Sequence, residues 1–192
     1  MPCSMIHLYV AKKVRPEGST LFYVGNLAPD AVNDWHDKDI VHFRDVDDRQ
    51  LALILLGKET TGDFAEGILL HLYLDWKWDE IVRQKFIDKI GDNWFVTYRN
   101  ELSRAGGYAF HNTAWAKQLW IDMDALDTNC YGITPYATVA DVKNFISRNN
   151  KWHNDNIMEP SPAFPPDMID EFTTWIAKEY TNWRTQIPFL PQ

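Results

Sequence analysis

Polar and apolar positions along the chain alternate with the period of helices. Met5 to Val14 carries His7, Val10, Ala11 and Val14 on one side, and Ser4 stands where an N-cap would. Leu21 to Val24 is a short apolar piece, and Gly25, Asn26 and Pro29 after it read as breakers that place Asp30 at a turn. Asn33 to His42 is a polar loop or frayed helix. Asp47 to Gly57 reads as a helix stopped by its glycine. From Phe64 to Trp78 the chain reads FAEGILLHLYLDWKW, apolar on every side. Thr60, Thr61 or Asp63 can open this central helix, and Ile81, Val82, Phe86 and Ile90 carry it on as an amphipathic rod to Gly91.

The second half continues in the same way. Asp92 or Asn93 opens a helix to about Arg104, and Gly106–Gly107 closes it. Tyr108 to Leu126 is a further helix, with His111 near its start as a packing or capping residue. Thr138 and Asp141 form a capping-box pattern ahead of a helix from Val139 to Asn149. The segment EPSPAFPPD cannot be helical. Asp167 opens the last helix, which ends before Pro188. Met168, Ile169, Phe172, Trp175, Ile176 and Trp183 form its core stripe, and Glu179 interrupts it. Strand alternation is almost absent, and no repeat or change of composition divides the chain. The expectation is one all-α domain over residues 1–192, with the central helix enclosed by the others.

Composition narrows the function. An apolar fraction of 45% and a charged fraction of 24% are ordinary for a globular chain. The net charge of −8, without a basic run, argues against binding nucleic acid through its backbone. Two cysteines, Cys3 and Cys130, form neither a disulfide framework nor a thiolate zinc site, and two free thiols are the simpler reading. The N-terminus lacks the pattern of a signal peptide, and His71 and Asp75 interrupt the best candidate membrane span. A cytoplasmic location is expected.

Chemistry concentrates in the first 80 residues. His71 and Asp75 lie four apart on an otherwise apolar helix, so they share a face one turn apart. Charged groups in such a place must be paired or bind a metal. Imidazole and carboxylate suit zinc and, less selectively, manganese or iron. His7 on a helix, Asp30 at a turn and His42 are possible companions. A structural hydrogen-bonded pair is the plainer alternative. His36 and His153, in polar segments, read as surface residues.

The segments MIHLYVAKKV, FYVGNLAPDAV, His42–Phe43 and FAEGILLHLYLD, in this order, resemble the zinc-dependent phospholipase C family and its single-strand nuclease relatives. The resemblance spans roughly the first 90 residues. It implies an all-α fold in which Asp30, His42, His71 and Asp75 hold one zinc ion, and Asp75 bridges toward a second shared with His7. It also implies hydrolysis of a small phosphorylated substrate; Asp30, beside a turn and a metal, would accept a proton from water, and Trp35, Trp76 and Trp78 would wall the cleft. The family's later His-x3-Glu has no counterpart, since His111 is followed by Trp115 and His153 by Ile157. One or two ions are therefore expected rather than three, with Asp79, Glu80, His36 or Glu101 as helpers. Two other readings remain. His36–Asp37 with His7 and Asp75 is a loose pattern of an HD-type metal phosphohydrolase. A non-catalytic helical protein could keep a metal for stability or bind a partner.

Overall fold

The computed structural model describes residues 1–187. Among them ten α-helices run in chain order: α1 Ser4–Val14, α2 Thr20–Leu27, α3 Trp35–Val41, α4 Arg49–Glu59, α5 Asp63–Trp78, α6 Gln84–Ile90, α7 Trp94–His111, α8 Ala116–Ala125, α9 Val139–Asp155 and α10 Pro166–Thr185. No strand occurs among the described residues; the only extended pairing is an isolated bridge between Thr134 and Ala137. Among the described residues no helix is long and apolar enough to cross a membrane. The all-α expectation holds.

The core is built on α5. Leu69, Leu70, His71, Leu74, Asp75 and Trp78 are fully buried. Its closest neighbour is α2, and glycines set that approach. A Cβ on Gly25 would collide with the Phe64 backbone, and one on Gly67 would fall on the Phe22 carbonyl and 2.6 Å from the Asn26 nitrogen. Gly25 and Asn26 are therefore interior residues of α2 rather than breakers: contact with α5 outweighs their weak helix propensity. The Ala28–Ala31 turn that follows is 3₁₀ and carries Asp30, as the turn signals predict. On the other side α10 lies across α1, and Arg184 Nη2 donates to Glu66 Oε1 at 2.6 Å, tying the end of α10 to the start of α5.

Several other expectations change for packing reasons. Cys3, not Ser4, is the cap residue of α1, and Ser4 lies inside the first turn. Gly57 does not end α4, which continues to Glu59. Helix α7 runs through Gly106 and Gly107 to His111, because the missing side chains make room for Cys3 and Met158. His111 thus ends a helix, and residues 112–115 break the expected helix before α8. Helix α9 extends to Asp155, with its capping box formed as expected. In α10 the inward face is Ile169, Phe172, Thr173, Ile176, Ala177 and Tyr180; Trp175 is exposed, Trp183 half-buried, and Glu179 faces outward. The rod after α5 persists to Ile90 and stops at Gly91, whose φ is +71°. It passes through one π-helical turn, Asp79–Arg83.

Candidate metal centre

Four segments deliver polar side chains to one buried point beside α5. His7 comes from α1, Asp30 from the 3₁₀ turn, His42 from the residue after α3, and His71 with Asp75 from α5. The three histidines and Asp75 have no exposed surface, and Asp30 is 8% exposed. Ligand atoms of His7, His71 and Asp75 all lie within 4.8 Å of one another, and so do those of Asp30, His42 and His71. His71 belongs to both groups. The buried His and Asp groups could hold a metal ion.

Helix ends orient two of the imidazoles. His71 Nδ1 donates to the Asn26 carbonyl at 2.7 Å, and His42 Nδ1 donates to the Lys38 carbonyl at 2.6 Å. Both acceptors are carbonyls near helix C-termini, and the Lys38 carbonyl accepts from the His42 backbone N–H as well. Each ring therefore turns Nε2 inward, and the two Nε2 atoms face each other at 3.1 Å. Burial lowers the pKa of both rings below the ordinary histidine value and outweighs the carboxylates of Asp75 and Asp30, which raise it, so both are neutral at neutral pH. Two neutral rings, each donating through Nδ1, present two lone pairs to each other. That contact is repulsive unless a cation lies among them. A backbone acceptor on the far nitrogen is also how metal-bound histidines are held.

The carboxylates complete the point. Asp75 Oδ2 is 3.3 Å from His42 Nε2 and 3.8 Å from His71 Nε2, and Oδ1 is 3.4 Å from His7 Nε2. The His7 contact is an ion-pair distance without hydrogen-bond alignment, which leaves both His7 nitrogens without a hydrogen bond. The His7 and His71 rings stack at 3.8 Å. Burial raises the Asp75 pKa, but the surrounding imidazoles and the Met1 amino group outweigh it and hold the carboxyl well below its usual range. Asp30 is likewise held ionised against burial, first by Lys38. Lys38 Nζ donates to the Asp30 carbonyl at 3.0 Å and stands 3.1 Å from Oδ1.

The expected helpers lie elsewhere. Asp79 Oδ2 accepts from Arg44 Nε and Arg49 Nη1, each at 3.1 Å, while Arg83 Nη1 stands 3.3 Å from Oδ1. Oδ2 is committed to two guanidinium groups, and Oδ1 stands at ion-pair distance from Arg83 and from the Met1 amino group. Glu80 accepts from Trp76 Nε1 at 2.6 Å, and Glu101 from Ser161 Oγ at 2.6 Å. His36 is exposed on α3, outside both ligand groups, which removes the geometric basis of the HD pattern. The sequence reading missed Lys38 and Arg44. Lys38 had a signal, since it lies four residues before His42 on α3. Arg44, which reaches Asp75 Oδ2 at 3.3 Å, had none beyond its nearness to His42.

A cavity of about 300 Å³ adjoins the point at Asp30 and Lys38. The tryptophans expected to wall it do not. Trp35 is 75% exposed, Trp76 packs on Tyr73 and Lys77, and Trp78 is a core residue that donates to Tyr98 Oη. Phe145 and Trp152 are the cavity's aromatic residues. His153, expected on the surface, also lines it and is 2% exposed. The cysteines are free, as expected, with Cys3 at the cavity and Cys130 exposed. Burial pushes the Cys3 thiol up to about 11, which leaves it protonated and unreactive. Compared with protein-family models, curated proteins and solved structures, the chain matches none of them.

Proposed function

We propose that this chain is a zinc-dependent hydrolase of a phosphate ester, similar in its ligand order to the zinc-dependent phospholipases C. The metal would be held by His7, Asp30, His42, His71 and Asp75. One observation carries the reading: the facing Nε2 atoms of His42 and His71, each turned inward by a backbone acceptor on its other nitrogen. Neutral imidazoles with carboxylates form a donor set that zinc favours. When bound, such an ion supplies Lewis-acid polarisation of a phosphoryl oxygen and activation of water near neutral pH.

The chain's own residues would do the rest. Asp30 is the one member of the set that also borders the cavity, so its carboxylate is the group that can take a proton from water there. Lys38 keeps Asp30 ionised and oriented. Lys38, Arg99 and Arg148 line the cavity, a local cationic surface on a chain of net charge −8, and it suits an anionic substrate. Full burial of the other four residues favours a second reading, a metal kept for stability alone.

The test is elemental analysis of protein purified without chelator, with assays on generic phosphomonoesters and phosphodiesters. The expected result is about one equivalent or more of zinc, lost in His71→Ala, together with hydrolysis that falls with it. Metal content far below stoichiometric and unaltered in His71→Ala would remove the site. Full occupancy without hydrolysis of either ester class would leave the structural reading in its place.

A further inference from the structure

His153 stands in the cavity, away from the metal ligands, and its environment has no structural explanation. Its ring stacks on Phe110 at 5.1 Å and packs against Trp120, which accounts for its faces. Its edge is different. Both ring nitrogens are buried and neither has a partner. A buried polar group without a partner is costly, and one that borders a cavity is positioned for a ligand. Gly106 puts no side chain against that edge: a Cβ there would lie 3.1 Å from Cys3 Sγ and 3.5 Å from His153 Cε1. Ser4, Ser103 and Asn149 add neutral donors and acceptors to the same walls.

We propose that His153 is a ligand-contacting residue of this cavity, and that the molecule it recognises is a sugar or polyol phosphate. The phosphate faces Lys38, Arg148 and the metal centre, and the hydroxyl groups reach the His153 edge. The inference rests on the metal-centre reading for its anionic end. Three observations choose the class. The cationic and the neutral polar residues line one cavity, so one molecule can meet both. A ring with one donor and one acceptor nitrogen matches a hydroxyl group, which is both. Burial lowers the His153 pKa to about 4, so the ring stays in that neutral form at neutral pH. The volume of about 300 Å³ is at the small end of ligand sites, too little for a two-chain lipid. Phe145 and Trp152 offer flat faces of the kind that pack against sugar C–H groups.

The test is calorimetric titration of the full-length protein with the phosphonate analogue of glucose 6-phosphate, whose C–P bond resists ester hydrolysis. Inorganic phosphate and a short-chain phosphatidylcholine are titrated in parallel, and metal content is measured on the same samples. The wild type should bind the analogue about tenfold or more tightly than phosphate. His153→Phe keeps the stacked ring and should remove about tenfold from the analogue while phosphate binding stays unchanged. Gly106→Ala, a substitution a helix accepts, should do the same by filling the space, and Arg148→Gln should weaken both ligands. An unchanged preference in both His153→Phe and Gly106→Ala would overturn the proposal. So would phosphatidylcholine binding as tightly as the analogue, or no saturable binding of the analogue. Normal metal content without analogue binding sinks this inference alone; analogue binding by protein that holds no metal sinks the metal-centre reading alone.

Discussion

At the scale of single residues, the site is governed by which hydrogen bonds are already spent. His42 and His71 have spent Nδ1 on backbone carbonyls and keep Nε2 for an ion, whereas Asp79 has spent Oδ2 on two arginines and lies outside both candidate ligand groups. Arg44→Met should therefore do two kinds of harm. It strips a partner from Asp79 and from Asp75, and a lost partner of a buried charge costs about 3–5 kcal/mol. Urea denaturation of the variant would read this as a lower midpoint, and a midpoint unchanged from wild type would show the pairs to be incidental. His153 gives a pH prediction. Burial holds it near 4 against 6.5 in the unfolded chain, so the folded form resists protonation. Its contribution is intact above pH 6.5 and is lost as pH falls toward about 4, by ~3 kcal/mol in all. Denaturation curves at neutral and acidic pH should diverge less in His153→Phe than in wild type; parallel behaviour would mean the ring titrates normally.

At the scale of elements, the α2–α5 contact does most to place the site. Two glycines bring the backbones together, and this proximity puts the Asn26 carbonyl within reach of His71. Gly67→Ala should cost more than about 3 kcal/mol, because a Cβ there meets backbone atoms that cannot step aside. The variant should also hold less metal than wild type, since His71 moves with the helix. A soluble Gly67→Ala protein with wild-type melting and metal content would contradict the close-packed contact. The π-helical turn at Asp79–Arg83 follows directly after the ligand-bearing helix. It carries Asp79 toward Arg44 and Arg49 on the side of α5 that Asp75 faces.

At the scale of the whole molecule, the candidate ligand set joins α1, the 3₁₀ turn, the end of α3 and α5, all in the first half of the sequence. An ion bound there cross-links four segments that the unfolded chain leaves apart, so binding free energy adds to folding stability. Removing metal with a chelator should lower the melting temperature by about 2–4 °C for each kcal/mol of binding lost at this chain length, and added zinc should restore it. Equal melting with and without chelator would exclude a metal at this point. The second half contributes the far wall of the cavity through α7 and α9, which carry Arg99, Arg148 and His153.

The helical class, the central place of α5 and the buried polar pair His71 and Asp75 were legible in the sequence, for one physical reason. Periodicity and the cost of burying a charge are local signals: His71 and Asp75 stand out because their own helix is apolar around them. The resemblance added His7, Asp30 and His42 by order along the chain. Everything that depended on distant partners was decided by tertiary structure. Gly25, Gly106 and Gly107 read as stops because their conformational freedom is local, while the close contacts that keep them in helices are not. Asp79 looked like a spare ligand until three arginines from separate positions closed on it. His153 looked like a surface residue because its sequence neighbours are polar, yet Phe110 of α7 and Trp120 of α8 cover its faces, and it borders a cavity with both nitrogens buried. A side chain's chemistry is written in the sequence, but whether that chemistry remains free to act depends on what folding brings against it.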